Sequence, residues 1–240
     1  MLSALSFDYW DTLYDGSALP ERVELRQGAM RRMLEAIGSS VPAAEFDALY
    51  RESAVEADRW WREEQRGYTT AERIRWMLGR LRIERPEDCE HVARACEAVD
   101  ESLVALPPAL FPGARKALDV LAARYPMAII SDTGFASGRA QDRLLERDGL
   151  HLHFPVRVYS MDIGHAKPRP EPFLAAVRAL GVPAARIIHI GDNERTDVRG
   201  ALAAGMRAIR LDTVRRRGAS AAEFVTGSFE ELVEYLESVK

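Results

Sequence analysis

The sequence of 240 residues predicts an α/β fold in which a central parallel sheet lies between two layers of helices, together with an all-helical cap. Short apolar runs alternate with helical stretches in residues 1–15 and 107–240, which is the βαβ pattern of a parallel sheet. Residues 16–106 have helical periodicity and no convincing strand. We therefore expect an α/β core from residues 1–15 and 107–240, and a helical cap from residues 16–106.

The predicted core contains five apolar runs, each of a length suited to a buried strand. Four helical stretches lie between or after these runs, so that strands and helices alternate along the chain. A last helix is expected to begin at Ser228, which together with Glu231 has the spacing of a capping box. The predicted strands are Ala4–Phe7, Met127–Ile130, Val156–Tyr159, Ile187–Ile190 and Ala208–Leu211, and the predicted helices are 113–124, 137–148, 170–180 and 196–204.

The predicted cap is built from helices with one apolar face each. Thr69 and Glu72 have capping-box spacing and are expected to begin one of these helices. Pro86 is typical of the first turn of another helix, and Pro107-Pro108 ends the helical block. The predicted faces are Leu25, Ala29, Met33 and Ile37 on the first helix, and Ile74, Met77, Leu78 and Leu81 on the helix after Thr69.

Charge and composition argue against several classes of partner. The net charge of −4 gives no reason to expect binding to nucleic acid or to a membrane surface. The sequence has no long apolar window, and its first residues lack the basic and apolar regions of a signal peptide. We expect a cytoplasmic protein, a monomer or a homodimer, without a nucleic-acid or membrane partner.

Polar residues follow the predicted strands at the points where ligands bind in open α/β sheets. Asp8 follows the first run, Ser131-Asp132 follows the second, and Asp192 and Asp197 follow the fourth, while Lys167 lies in the loop after the third. Any one of these alone is more typical of a turn or a helix cap. Together they suit phosphoryl transfer, because carboxylates can attack phosphorus and hold Mg²⁺, and a hydroxyl and an amine can bind phosphoryl oxygens.

Lys167 is informative because the chain uses arginine for almost every positive charge. Only Lys116, Lys167 and Lys240 are lysines among the 33 basic residues. A lysine retained in such a chain indicates a site that requires a compact ammonium group and not a planar guanidinium.

In these motifs the sequence resembles the haloacid dehalogenase-like hydrolase superfamily, over nearly the whole chain. The family has four motifs: a strand ending in DxDGT, a strand ending in Ser or Thr, a lysine ahead of proline, and GDxxxxD. The matching segments here are Asp8-Tyr9-Trp10-Asp11-Thr12, Ser131, Lys167-Pro168 and Gly191-Asp192 with Asp197. The resemblance implies a Rossmann-like three-layer sandwich with a helical cap inserted after the first motif.

The resemblance also implies roles for individual residues. Asp8 would be the nucleophile that forms an aspartyl-phosphate, and Lys167 would neutralise Asp8 and the substrate. Mg²⁺ would be held by the carboxylates of Asp8 and Asp192 and by the backbone carbonyl of Trp10. Asp197 and Asn193 would support the metal site or Lys167. The phosphoryl oxygens would be bound by Thr12, Ser131, the Asp132 N–H and Lys167.

Trp10 departs from the family pattern. Family phosphatases have a general-acid aspartate at this position, and an indole N–H is a hydrogen-bond donor only. Asp11 could replace the acid, although a neighbouring side chain points elsewhere unless the backbone shifts. Alternatively, the leaving group could depart unprotonated, as from an acyl or aryl phosphate, since general acid catalysis contributes about 10²–10⁴-fold. The third possibility is a 2-haloacid dehalogenase, whose family members have an aromatic residue here and use the same Asp without metal.

Asp192 favours a phosphohydrolase over a dehalogenase, because the dehalogenase branch generally lacks the first Asp of GDxxxxD. We therefore expect a Mg²⁺-dependent phosphohydrolase acting on a small phosphorylated metabolite, with a dehalogenase as the alternative. A protein that binds a phosphorylated ligand with little turnover is a second alternative. Substrate choice is expected to depend on the cap, where Arg59-Trp60-Trp61-Arg62 and Tyr68 are candidates to face the site.

Overall fold

The computed structural model describes residues 1–83, 89–214 and 218–239. The sheet has six parallel strands in the order β3-β2-β1-β4-β5-β6. Helices pack on both of its faces, as the sequence predicts. The strands are β1 (Ala4–Phe7), β2 (Met127–Ser131), β3 (Val156–Tyr159), β4 (Ile187–Gly191), β5 (Arg207–Leu211) and β6 (Phe224–Thr226).

Ten α-helices are present in the described residues. Four of them, α1–α4, lie between β1 and β2, and we call these four helices the cap. The helices are α1 (Pro20–Ala36), α2 (Ala43–Arg62), α3 (Thr70–Arg80), α4 (Glu90–Ala105), α5 (Ala114–Ala122), α6 (Gly138–Arg147), α7 (Ser160–Ile163), α8 (Pro170–Leu180), α9 (Arg199–Ala203) and α10 (Phe229–Ser238). A π-helical turn, Glu194–Val198, leads into α9.

The hydrophobic core of the sheet is divided between its two faces. Strand residues alternate between the faces, so Leu5 and Phe7 pack with α5, α6 and α10, while Ala4 packs with α8 and α9. β1 is central and pairs with β2 and β4 on either side. The carboxyl ends of these three strands therefore lie next to one another.

The cap has a hydrophobic cluster of its own, formed by residues such as Met30, Phe46, Met77 and Val99. Phe135, which follows β2, joins this cluster from the core side. The four helices agree with the all-helical segment that the sequence predicts, whereas the division at residues 15/16 and 106/107 stays a prediction. None of the helices in the described part of the chain is long and apolar enough to cross a membrane.

The local signals at helix ends were partly right. The capping box of Thr69 and Glu72 is present at the start of α3. Ser228 caps α10 by accepting hydrogen bonds from two backbone N–H groups, but the Ser228 N–H donates to Thr226 Oγ1, so only half of the second capping box forms. Pro86, which was predicted to begin a helix, lies outside the described residues.

Two elements were missed. β6 has only three residues and lies at the edge of the sheet, where Val225 is 41% exposed, so it lacks the apolar run of a buried strand. α7 has four residues and follows β3 directly. The predicted helix 196–204 begins two residues earlier than expected, as the π-helical turn.

Candidate active site

The predicted polar residues meet at the carboxyl ends of the central strands. Asp8 follows β1, and its N–H donates to the Ile190 carbonyl of β4 at 2.8 Å. Asp192 follows β4, and Ser131 is the last residue of β2. Because β2, β1 and β4 are neighbours, these three positions lie side by side at one edge of the sheet.

Lys167 bridges two carboxylates at the centre of the site. Its Nζ lies 2.6 Å from Asp8 Oδ1 and 2.6 Å from Asp197 Oδ1. The Lys167 side chain is 2% exposed, and those of Asp8 and Asp197 are 9% and 1% exposed. The ion pairs are therefore shielded from solvent. In such a buried site charge–charge interactions are strong, and an unpaired charge is costly.

Burial and neighbouring charges pull the pKa values of these groups in different directions. Burial raises the pKa of Asp8 well above its ordinary value, against the opposing effect of Lys167. Burial alone would lower the pKa of Lys167, but Asp197 and Asp8 outweigh it and raise that pKa. For Asp197, Lys167 and His189 outweigh burial and lower the pKa. We conclude that Lys167 and Asp197 are charged, and that burial destabilises the ionised form of Asp8 relative to its protonated form.

Asp197 is held in place from several sides. Its Oδ2 accepts a hydrogen bond from the Asn193 N–H at 2.9 Å, and its Oδ1 lies 3.4 Å from His189 Nε2. The other ring nitrogen of His189 lies 2.9 Å from Ser6 Oγ. A Cβ on Gly191 would lie 2.4 Å from Asp197 Cγ, so this close approach requires glycine. His189 was not predicted as a site residue, although a histidine within a buried strand was a signal.

Three buried carboxylates could hold a metal ion together. One oxygen from each of Asp8, Asp192 and Asp197 lies within 4.8 Å of the others. Hard oxygen donors of this kind are those that Mg²⁺ prefers. Lys167 bonds to two of them, Asp8 and Asp197, and its single positive charge cannot neutralise three carboxylates, so a divalent cation would offset the remaining negative charge. The donor set therefore fits Mg²⁺.

Two buried hydroxyls near the strand ends have no partner in the described part of the chain. Ser131 Oγ and Thr12 Oγ1 are both buried and accept or donate no hydrogen bond there. Buried polar atoms are normally satisfied, so each of these hydroxyls is available for another group.

Trp10 and Asp11 both line the cavity above Asp8. The indole of Trp10 packs edge-on against Tyr9, with the ring centroids 4.9 Å apart. Asp11 has a φ of 57°, in the left-handed region that favours glycine, and its Oδ1 accepts a hydrogen bond from the Gly16 N–H at 2.9 Å. The backbone at Asp11 therefore departs from an ordinary extended conformation, as a replacement acid would require. The Asp11 carboxylate, however, also stabilises the loop through its hydrogen bond with Gly16.

Asp132 connects the core to the cap through its side chain. Its Oδ2 accepts a hydrogen bond from Trp61 Nε1 at 2.8 Å, and its Oδ1 accepts one from the Lys167 N–H at 3.1 Å. Burial raises the pKa of Asp132, against Lys167 and Trp61, which lower it. Sequence reasoning considered only the Asp132 N–H and missed this role of the carboxylate.

The cap covers the strand ends and encloses a cavity of about 340 Å³. Of the predicted cap candidates, Trp61 and Tyr68 line this cavity, whereas Trp60 is buried against Tyr68 and Arg66. Arg59 and Arg62 are exposed and form ion pairs on the surface of α2. The cavity has further lining residues from the cap that the sequence did not single out, namely Ala54, Ala57, Asp58, Arg66 and Arg73.

Comparison with known proteins identifies the family. A sequence model of haloacid dehalogenase-like hydrolases matches residues 2–205. The chain belongs to this family. Its hydrolase class and its α/β fold with a helical insertion agree with the resemblance seen in the sequence motifs.

Individual relatives of this haloacid dehalogenase-like hydrolase include phosphatases. It is 32% identical over 230 residues to the glyceraldehyde 3-phosphate phosphatase of Methanopyrus kandleri, with 91% of this chain and 85% of the relative covered. It is 29% identical to the 5-amino-6-(5-phospho-D-ribitylamino)uracil phosphatase YigB of Escherichia coli, over 86% of this chain and 82% of the relative. A solved structure of a 2-haloacid dehalogenase from Pseudomonas syringae pv. Tomato DC3000 superimposes with a TM-score of 0.73 at 25% identity, over the whole of both chains.

Proposed function

We propose that the protein is a Mg²⁺-dependent phosphohydrolase that acts through an aspartyl-phosphate on a small phosphorylated metabolite. The observation that carries this proposal is the buried group of Asp8, Asp192 and Asp197 around Lys167. Phosphatases among the curated relatives support the phosphoryl chemistry. The dehalogenase hypothesis requires no metal ion and therefore gives Asp192 no role as a metal ligand.

The carboxylates of Asp8 and Asp192 and the backbone carbonyl of Trp10 would hold the metal ion. When bound, Mg²⁺ supplies positive charge that offsets the carboxylates and stabilises the transferring oxygens. Asn193 keeps Asp197 in position through its backbone N–H, and Asp197 in turn orients the Lys167 ammonium.

Asp8 attacks the phosphorus atom with a carboxylate oxygen, the bond to the leaving oxygen breaks, and an aspartyl-phosphate forms. Lys167 compensates the charge on Asp8 and on the phosphoryl oxygens during this step. The hydroxyls of Thr12 and Ser131 and the Asp132 N–H would bind phosphoryl oxygens, which gives the two unpartnered hydroxyls a function. Water then attacks the phosphorus atom, releases inorganic phosphate and regenerates Asp8.

Protonation of the leaving group separates two forms of this mechanism. Trp10 cannot donate a proton, and Asp11 is the carboxylate that lines the cavity next to it. If Asp11 is the acid, Asp11→Asn lowers turnover of alkyl phosphates far more than turnover of aryl phosphates. If instead the enzyme depends on an activated leaving group, Asp11→Asn changes turnover of alkyl and aryl phosphates by the same factor. In that case Trp10→Asp extends turnover to alkyl phosphates.

The first experiment measures hydrolysis of acetyl phosphate, p-nitrophenyl phosphate and a sugar phosphate, with and without Mg²⁺. Asp8→Asn is the control for the nucleophile. Mg²⁺-dependent phosphate release that is lost in Asp8→Asn supports the proposal. Binding of phosphate with no turnover of any substrate would favour the alternative of a phospho-ligand binding protein.

The second candidate function is a 2-haloacid dehalogenase. Two observations favour it: the aromatic Trp10 beside the nucleophile, and the similar structure from Pseudomonas syringae. In that reaction an Asp8 oxygen attacks carbon, halide leaves, and water hydrolyses the ester. Halide release from 2-chloropropionate in EDTA, with no phosphate release from the other substrates, would replace the phosphohydrolase proposal.

A further inference from the structure

Arg73, on α3, is a buried cation without a counter-charge. It is 6% exposed and lines the same cavity as Asp8 and Lys167, from the cap side. The only hydrogen bond of its side chain to a described residue runs from Nε to Ser53 Oγ, at 3.0 Å. It pairs with no carboxylate in residues 1–83, 89–214 and 218–239. A guanidinium has five N–H donors, so most of the hydrogen-bonding capacity of Arg73 is unused.

Aromatic rings fix the guanidinium of Arg73 in position. Its Cζ lies 4.0 Å from the ring centroid of Phe135 and 5.2 Å from that of Tyr50. Such cation–π contacts stabilise a cation but leave its in-plane N–H groups free for a ligand. Burial lowers the pKa of Arg73, yet an arginine remains protonated at neutral pH. The result is a rigid, charged and desolvated donor group at the cavity wall.

Arg66 provides a comparison within the same cavity. Arg66 also lines the cavity, but it forms ion pairs with Glu64 at 3.0 Å and Glu72 at 3.1 Å. Its charge is compensated by the protein, and it stacks on Trp60 at 4.4 Å. Protein carboxylates therefore offset the charge of Arg66, whereas no carboxylate in the described residues pairs with Arg73.

Further positive charge lies beside Arg73. Arg26, on α1, is 5.7 Å from the same Phe135 ring, and burial, together with Arg22 and Arg73, lowers its pKa. Arg22 and Arg26 line a neighbouring cavity of about 240 Å³, which shares the Trp10 wall with the first. Three arginines of the cap therefore lie close to one another beside the active-site cavity.

We infer that the leaving group of the substrate carries a second anionic group, a carboxylate or a phosphate, and that Arg73 binds it. This inference rests on the proposed phosphohydrolase function, because it places the phosphoryl group at Asp8 and the second anion at the opposite wall. A charge-assisted bidentate pair with an otherwise unpaired guanidinium is a strong and specific contact. A neutral leaving group would leave the buried charge of Arg73 without a partner. The cavity would therefore favour substrates with an anionic leaving group over those with a neutral one.

The test compares aryl phosphates that differ only in this charge. The probes are 4-carboxyphenyl phosphate and its neutral amide, 4-carbamoylphenyl phosphate, with hydroquinone bisphosphate as the probe for a second phosphate. These have activated leaving groups, so the comparison does not depend on a general acid. We expect kcat/KM to be roughly 10- to 100-fold higher for a probe with the second anionic group than for the amide, as one hydrogen-bonded charge pair would give. The probe with the larger ratio distinguishes a carboxylate from a phosphate.

Arg73→Gln should reduce this ratio to near one, and Arg73→Lys should retain part of it. Arg80→Gln is the matched control, since Arg80 is on the same helix but exposed and paired with Glu52. Thermal unfolding of each variant shows whether the fold is kept. A wild-type ratio near one, or a ratio unchanged in a folded Arg73→Gln, would overturn the inference. Failure to release phosphate from any probe would instead contradict the proposed function.

Discussion

Replacement of Lys167 by methionine should destabilise the protein more than a surface replacement of the same kind. Lys167 Nζ bonds to Asp8 and Asp197 at 2.6 Å each, in a site where the lysine is 2% exposed. Methionine keeps the apolar stem but leaves both carboxylates buried without their cation. Removing one partner of a buried ion pair costs about 3–5 kcal/mol.

An upper limit on the loss follows from protonation. A carboxyl group with an ordinary pKa near 4 can be protonated at pH 7 for about 4 kcal/mol, since each pKa unit is worth about 1.36 kcal/mol, so protonation limits the loss to about 4 kcal/mol for each of the two carboxyl groups. We therefore expect Lys167→Met to lower the free energy of unfolding by about 3–8 kcal/mol at pH 7. For a chain of this size the lower value corresponds to a fall in Tm of at least roughly 6 °C.

The sign of the pH dependence follows from the same argument. Without Lys167 the pKa values of Asp8 and Asp197 lie above their unfolded values, so the folded state binds more protons than the unfolded state. The stability deficit is therefore largest at neutral pH and shrinks as pH falls from 7 to 5.

The assay is urea or thermal unfolding in EDTA, so that no divalent ion compensates the carboxylates. Lys116→Met is the matched control, because it replaces the same residue type by methionine at an exposed position on α5. The reasoning is refuted if Lys167→Met lowers the unfolding free energy no more than Lys116→Met. A deficit of the same size at pH 5 and pH 7 would also contradict it.

Two further substitutions test the supports of the site. Trp61→Phe removes the hydrogen bond to the Asp132 carboxylate, and we expect kcat/KM to fall roughly tenfold, as for a lost bond to a charged group; unchanged kinetics would show that this contact does not position the cap. Gly191→Ala places a Cβ 2.4 Å from Asp197 Cγ and should reduce kcat at least tenfold, whereas Gly79→Ala, with nothing within 4 Å of its Cβ, should retain activity and stabilise α3 by about 0.5–1 kcal/mol.

The core of the fold could be predicted because its strands are short, buried on both faces and followed by helices. The same topology made the site predictable, since the carboxyl ends of β1, β2 and β4 must meet when these strands are neighbours. β6 escaped prediction because three residues at a sheet edge, of which only Thr226 is buried, are too few to form an apolar run.

The cap side of the site was harder to predict, because the cavity-lining residues of α2 and α3 belong to no sequence motif. A signal for Arg73 nevertheless existed. Arg73 lies four residues before Met77, on the apolar face of α3, and a charged residue on such a face is costly unless it has a role. The position of Arg73 on the buried face of α3 therefore indicates a functional role more clearly than its residue type alone.

The tryptophan in the first motif fits best with selection of the leaving group. Asp11 adopts the left-handed conformation that favours glycine, and its carboxylate holds the loop by accepting the Gly16 N–H. This structural role explains Asp11 without any transfer of the acid function to it. Trp10 lines the cavity at Asp8 and also the neighbouring one near Arg26, so its indole borders the space where a leaving group would lie. If the protein is the phosphohydrolase proposed above, the aromatic wall, the missing acid at position 10 and Arg73 on the wall of the same cavity would together favour an anionic leaving group that departs without a proton.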